Sequence, residues 1–526
     1  MRIVTAEEMK KIDDTAVDEV GIPSLILMEN AGIEAARKIS EICEEKKYDG
    51  EILIFCGKGK NGGDGLVVAR RLIANGHRVR IFLLHSSSEF KNEAAVHLRV
   101  LEQQRAKIFS VESASIVAEY FNSATPPFMV VDALLGTGLK RPIEGLYYDV
   151  VEVLNKYSDE LIALDIPTGV NGDSGKTTGN SVIATHTISF GFPKLGHFLP
   201  PGAARRGKLY NVDLCFPKQW SKEGDKFLLT HDNIAPLLQT RDRYGHKNSF
   251  GHSLLIGGSP GRTGAIALAS QSCLRMGTGL ATVASWEESF PSVETRLPAE
   301  IMTFRIRKEA GDFPVPAPGI SQFSSVVIGP GLGLGSDAGE LLKRLVQEYR
   351  GPLVIDADGL NLIAEHKLHE FLAKRGQPVV LTPHPGEMAR LLDISKDAVV
   401  EDPVKCVRQA VEKTGAVVLL KGATTLIHSA EGVTWFNHYP NDGMATAGSG
   451  DVLAGMIGGL LGQKMNPVDA TRLGVYLHSL AGRKAAAVYG HRAMTASAIV
   501  EKISESFKEL RTYVSSAHIP SCVELV

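Results

Sequence analysis

Short β-branched runs alternate with amphipathic stretches through the first half of the chain, and this pattern predicts strands at 51–56, 78–84, 128–132, 161–165 and 185–190. Helical periodicity falls between them at 65–74, 92–104 and 147–155. Strands that alternate with helices imply a parallel sheet covered on both faces, and such sheets collect their ligands at the carboxyl ends of the strands. Periodicity is lost across 215–225, a polar stretch containing Pro217, which is read as a linker. The alternation then restarts, with strands expected at 253–256, 281–284, 325–328, 353–356, 379–382, 417–420 and 424–427. Glycine-rich helices follow Asp451 and run to about 507. The expected architecture is α/β throughout, with a domain over 1–220 and a second over 228–510, both three-layer α/β/α. Residues 515–526 are expected to form a loosely held end.

Composition narrows the classes of function. A chain of 526 residues is long enough for two cores, and 44% hydrophobic with 22% charged residues is ordinary for a globular protein. A formal net charge of -2 gives no electrostatic reason to expect nucleic acid or an anionic membrane as partner. The cysteines at 43, 56, 215, 273, 406 and 522 form no CxxC pair, so neither a disulfide framework nor a zinc site is indicated. The first twenty residues read as a charged amphipathic helix rather than a secretory signal, and no apolar run approaches the roughly 18 residues of a membrane span. A cytoplasmic enzyme is expected, as a homo-oligomer.

The glycines sit where chemistry is expected. Gly57-Lys58-Gly59-Lys60-Asn61-Gly62 has the spacing of a dinucleotide loop. The next strand, however, ends in Leu84-His85-Ser86-Ser87, without the acid that would hold a ribose, which weakens the dehydrogenase reading. No GK[ST] closes the run, so it is not a Walker A loop. The continuation Asn61-Gly62-Gly63-Asp64-Gly65 offers backbone N–H groups to an anion and two side-chain oxygens to a cation or hydroxyl. The plain alternative is a helix start capped by Asp64. Two later strands end in acids beside small residues, Asp132 before Ala133-Leu134-Leu135-Gly136-Thr137-Gly138, and Asp165 before Ile166-Pro167-Thr168-Gly169. Both acids belong on the rim that carries the first loop.

In the second half, Ala447-Gly448-Ser449-Gly450-Asp451 opens a helix. Small residues there expose N–H groups and the positive end of the helix dipole to a phosphate chain, and an Asp can accept the proton of an attacking hydroxyl. A capping Asp on a packed helix is the plain alternative. His384 stands between prolines at a strand end, and Lys421-Gly422-Ala423-Thr424-Thr425 ends another strand, where a surface lysine is an equally simple account.

The strings NGGDG at 61–65, DALLGTGL at 132–139 and LDIPTGV at 164–170 resemble the YjeF N-terminal, NAD(P)HX epimerase family. The resemblance implies a Rossmann-like fold and a potassium ion held by Asn61, Asp132 and Thr168. It also implies that Asn61, Gly62, Gly63, Asp64 and the loop Gly136, Thr137, Gly138, Leu139, Lys140, Arg141 and Pro142 bind the hydrated nucleotide, with Asp165 acting at its nicotinamide ring. Lys60 stands where the family usually has Asn. The strings PGLG at 330–333, TPHPGE at 382–387, KGATT at 421–425 and AGSGDVLAG at 447–455 resemble the ribokinase-like ADP-dependent NAD(P)HX dehydratases. Residues matching Ala265, Gly333, His384 and Asp451 contact the hydrated nucleotide in that family. Those matching Lys421, Gly422, Ala423, Thr424, Thr425 and Gly450 bind the adenine nucleotide, taken here as ADP with magnesium. Asn248 replaces a glycine common in that family. Fusion of the two resemblances implies R/S epimerisation of hydrated NADH or NADPH and ADP-driven dehydration of the S form, giving AMP and phosphate. A vitamin or sugar kinase with an accessory domain is the rival enzyme reading, and a nucleotide-sensing scaffold the non-enzymatic one.

Overall fold

The computed structural model describes residues 1–139, 141–177, 179–307, 319–512 and 522–525. The chain forms two compact units, one from Arg2 to Gly224 with the C-terminal strand, the other from Asp225 to Ser515 with Met1.

In the first unit, β1 (Glu51–Cys56), β2 (Arg78–Leu83), β3 (Ile108–Ser110), β4 (Phe128–Ala133), β5 (Glu160–Leu164), β6 (His186–Phe190) and β7 (Lys208–Val212) form a parallel sheet. Its spatial order is β7-β6-β5-β4-β1-β2-β3. Both faces are covered, which is why β1 reads as a continuous apolar run: Ile52, Ile54 and Cys56 enter one core, Leu53 and Phe55 the other. The strand order reverses between β1 and β4, the position at whose carboxyl ends sheets of this kind collect their ligands.

The second unit contains β8 (Lys226–Leu228), β9 (His252–Ile256), β10 (Leu280–Trp286), β11 (Met302–Ile306), β12 (Ser325–Ile328), β13 (Leu353–Ile355), β14 (Val379–Leu381), β15 (Val417–Leu420), β16 (Thr424–His428) and β17 (Thr434–His438). They lie in the order β11-β10-β9-β12-β13-β14-β15-β16-β17-β8. The strands from β11 to β15 are parallel, β15, β16 and β17 run as antiparallel neighbours, and the reversal of order falls between β9 and β12. Glycine on the helix Ser449–Gly462 is a packing requirement, because a Cβ at Gly455 would strike the Ala269 carbonyl and one at Gly458 the Val327 side chain.

The α/β reading stands, but the apolar pattern missed several strands for identifiable reasons. β3 and β8 are only three residues long, and β11 is an exposed edge. β17 is buried yet polar: Asn437 Nδ2 donates to Ser479 Oγ at 2.8 Å and His438 Nδ1 bonds Thr424 Oγ1 at 2.7 Å, so the strand hides its polarity in hydrogen bonds. Of the expected loose end, residues 515–521 and 526 lie outside the described residues, and the expectation is corrected for the remainder. Cys522–Leu525 adds an antiparallel strand to β7 with Leu525 buried, an edge pairing that four residues are too few to announce. Leu525→Asp should therefore lower the stability of the first unit by about 2 kcal/mol, read from its urea midpoint. Among the described residues no helix is long and apolar enough to cross a membrane.

Candidate active sites

In the first unit the helix Lys60–Ala74 begins five residues before the predicted start, so Asn61, Gly62, Gly63 and Asp64 form its first turns. Its N-cap is Gly59, without a side-chain cap, and Asp64 is therefore no capping residue. The glycines also serve packing: a Cβ at Gly62 would meet the Gly57 carbonyl, one at Gly63 the Met28 side chain and one at Gly65 the Ala133 Cβ. Asn61 is buried, and among the described residues neither its amide oxygen nor its amide nitrogen has a hydrogen-bond partner. Asp132 and Thr168 are buried together: Thr168 N and Oγ1 donate to the two Asp132 oxygens, each at 2.8 Å. The Leu135 N–H donates to Thr168 Oγ1 at 3.0 Å, and a Cβ at the adjacent Gly136 would lie 3.4 Å from Asn61 Cβ and 3.8 Å from Asp165 Oδ2. Gly136 thus joins the three expected cation ligands to Asp165.

The rest of that loop is less central. Thr137 packs by Gly172, the Leu139 carbonyl accepts from Asn171, Gly138 has open space beside it, and Arg141 and Pro142 are exposed. Lys140 lies outside the described residues. Asp165 has φ 64°, a left-handed conformation that Asp tolerates better than most residues. Lys194 Nζ donates to Asp165 Oδ1, while Oδ2 faces Gly136.

Charge is crowded here. Burial first, then the neighbouring Asp165 and Asp13 carboxylates, push Asp64 well above the usual carboxylate range, with Lys60 and Lys194 opposing. Burial likewise raises Asp13, on the helix Ala6–Asp18, to about 6. Asp132 rises to about 6 through burial, opposed by its Thr168 bonds.

In the second unit Gly448 is the N-cap of Ser449–Gly462, with no side-chain cap; the Ser449 N–H donates to the Thr446 carbonyl at 3.3 Å, which leaves the Gly450 and Asp451 N–H groups to face an anion, and Asp451 sits inside the first turn. Lys421 Nζ donates to Asp356 Oδ1 at 2.8 Å, lies 3.7 Å from Glu387 Oε2, and would be 3.3 Å from a Cβ at Gly450. Lys421 is therefore the half-buried hub of the site, tied to two acids, rather than a free surface lysine. Burial, then Asp356, raises Asp451 to about 7, with Lys421 opposing, and burial raises Glu387 to about 7. His384 caps the helix Pro385–Leu392, its Nδ1 accepting from the Gly386 and Glu387 N–H groups at 2.9 and 3.2 Å. Its Nε2 is 3.4 Å from Glu387 Oε1, and burial lowers its basicity. Gly333 N and Arg262 both donate to Asp358 Oδ2, at 2.8 and 3.0 Å, and Ala265 lies beside Gly331. Thr424 bonds His438, and Thr425 donates to the Gly422 carbonyl at 3.2 Å, fixing the turn that follows Lys421.

Residues 253–505 match the family model described as NAD(P)H-hydrate dehydratase, and 24–196 match that described as YjeF-related protein N-terminus. The chain is 38% identical over 524 residues to the bifunctional NAD(P)H-hydrate repair enzyme of Moorella thermoacetica, covering 98% of each. It is 34% identical over 528 residues to that of Thermofilum pendens, covering 97% of each. This chain belongs to the bifunctional NAD(P)H-hydrate repair enzyme family. The solved ADP/ATP-dependent NAD(P)H-hydrate dehydratase of Bacillus subtilis, co-crystallised with ATP and Mg2+, is 27% identical and covers 55% of this chain and 99% of its own, with a TM-score of 0.49.

Within this repair enzyme, sequence reasoning passed over Asp13, Lys194, His197, Asp356, Asp358, Glu387 and Arg262. Asp356 carried a usable signal, since it closes the predicted strand 353–356 as Asp132 and Asp165 close theirs. The departure at Lys60 places a cation where it acts on Asp64 and Asp13. Asn248 is exposed on the turn entering β9, at that strand's opposite end from the site.

Proposed function

We propose that the two units share the repair of one damaged nucleotide. The first equilibrates the R and S forms of hydrated NADH or NADPH, and the second dehydrates the S form at the expense of ADP. The observation that carries this reading is one chain holding two uncapped helix starts, each with carboxyl groups of raised pKa at the carboxyl ends of a parallel sheet.

C6 of the hydrated ring is a carbinolamine carbon, and its configuration inverts when the C–O bond, pushed by the ring nitrogen lone pair, breaks and re-forms from the other face. That needs a proton donor and a proton acceptor. Asp64, whose protonated form is favoured by burial and by the neighbouring carboxylates, supplies the first, and Asp165, beside Lys194, the second. Dehydration is harder, because hydroxide leaves badly. Asp451 takes the C6 hydroxyl proton as that oxygen attacks the terminal phosphorus of ADP, and AMP departs. Loss of a C5 proton then expels phosphate and restores the ring double bond.

The donor sets fit the implied ions. Asn61 presents an unpartnered buried amide oxygen, and Asp132 is a buried carboxylate without a salt-bridge partner among the described residues, a site suited to a hard monovalent cation such as potassium. In the second unit Asp356, Glu387 and Asp451 surround the single Lys421 ammonium. Magnesium entering with the nucleotide would be held by Asp356 and Glu387 and would neutralise phosphate charge. Six free cysteines fit a reducing compartment, so a cytoplasmic location is proposed. The exposed apolar Leu25, Ile26, Val96 and Val100 support a homo-oligomer.

Incubation of an equal mixture of R and S hydrated NADH with ADP, magnesium and potassium should return all of it to NADH, followed by absorbance. Replacing potassium with lithium should slow conversion of the R share alone. A stable phosphorylated alcohol would instead favour the kinase reading, and binding without turnover the scaffold.

A further inference from the structure

Asp165 is gripped from two sides by residues that none of the three first-unit motifs contains. Lys194 is 1% exposed, and its ammonium donates to Asp165 Oδ1, to the Phe190 carbonyl at 2.8 Å and to Ser189 Oγ at 3.3 Å. All three of its protons are committed, so its position is fixed. The Phe190 N–H, at 3.3 Å, also points to Asp165 Oδ1. The main chain is held separately. His197 is fully buried, and its Nδ1 accepts from the Lys194 N–H at 3.1 Å, which places the ring proton on Nε2. That Nε2 lies 3.0 Å from the Asp165 carbonyl oxygen and donates to it. The His197 carbonyl in turn accepts from Arg206 Nε at 2.8 Å. One lysine thus holds the carboxylate with its side chain and, through its own N–H, orients the imidazole that holds the strained backbone. Only Oδ2 is left without a hydrogen-bond partner among the described residues, and it is the oxygen turned toward Gly136 and Asn61.

We propose that Lys194 is a positioning residue for epimerisation: it fixes the charge and rotamer of Asp165 so that a single oxygen, Oδ2, is presented to the hydrated nicotinamide ring. A surface lysine would do this poorly, since burying an ammonium is costly unless its partners are fixed, and here they are. The buried cation also answers the crowd of acids, because Asp13, Asp64 and Asp165 converge on it while Lys60 and Arg206 approach from other elements. The inference rests on the epimerase reading of this site.

The test uses the full chain with Lys194→Met, which keeps the bulk and removes the charge, and Lys194→Ala, which leaves space for a small amine. Lys194→Met is expected to lower kcat for epimerisation by about 100-fold, with KM changed by less than about threefold and dehydration of pure S substrate unchanged. Lys194→Ala should lose as much and regain about tenfold on addition of n-propylammonium, whereas Lys194→Met gains nothing. A merely structural lysine would not respond to an added amine. Retention of epimerisation in either variant overturns the proposal, as does loss without amine rescue. Collapse of the first unit in both variants, seen by near-ultraviolet circular dichroism, makes the lysine structural and overturns it too. If the wild-type chain itself fails to equilibrate R and S, the epimerase reading has failed rather than the positioning role.

Discussion

Replacing Asp451 with asparagine should stop dehydration and leave epimerisation intact. The substitution keeps the shape of the first turn of Ser449–Gly462, so the open N–H groups that would cradle phosphate remain in place. What disappears is the proton acceptor, and loss of a positioned general base costs about 10²- to 10⁴-fold in kcat. Assayed with pure S substrate and ADP, the variant should fall by that factor. A fall of less than about tenfold would remove Asp451 from the role of base.

The environment of Asp451 adds a pH signature. Its pKa of about 7 means that below that pH the group is mostly protonated and cannot accept a proton. Dehydratase kcat/KM of the wild type should therefore fall tenfold per pH unit below about 7. The stability consequence has the opposite sense. The folded pKa lies above the unfolded value of 3.8, so the native state binds more protons between the two, and stability falls as pH rises through that window. Asn carries no charge to bury, so Asp451→Asn should be more stable than wild type at pH 8, by about 2 kcal/mol, while inactive. Nucleotide-free urea unfolding at pH 8 and pH 5 reads the difference.

What the sequence revealed about these sites follows from what local chain geometry demands. Gly62 and Gly65 must let a helix start press against β1 and β4, and Gly448 must turn with φ +90° before Asp451, so these positions leave glycine in the sequence. Strand-end acids such as Asp132 and Asp165 are equally legible. The partners that set their chemistry are not. Lys194 reaches Asp165 across 29 residues and Lys421 reaches Asp356 across 65. No spacing rule links such pairs, because the sheet order rather than the chain brings them together. His384 is the converse case: its motif is plain, yet its Nδ1 serves first as a helix cap, leaving Nε2 as the nitrogen available to a ligand. Asp64 has the sequence context of a cap and is instead an interior residue of its helix, because the helix starts earlier than the apolar period shows.

Asp165→Asn should give the mirror pattern: epimerisation reduced by about 10²- to 10⁴-fold with dehydration of S substrate retained. The backbone can accept the change, since asparagine tolerates the left-handed φ of 64° as well as aspartate does. The side chain cannot. Asn offers Lys194 a neutral oxygen, leaving an almost wholly buried ammonium without its hydrogen-bonded countercharge at a cost of about 3 kcal/mol. The single variant should therefore be both inactive and less stable, and the two effects need separating. Adding Lys194→Met removes the orphaned charge, so the double variant Asp165→Asn/Lys194→Met should recover about 2 kcal/mol relative to Asp165→Asn while remaining inactive as an epimerase. On an equal mixture of the R and S epimers both variants should convert the S share rapidly and then wait on spontaneous epimerisation. If instead the stabilised double variant consumes the R share at the wild-type rate, the proton acceptor lies elsewhere in the first unit, and Asp13 and Asp64 become the carboxyls to replace next.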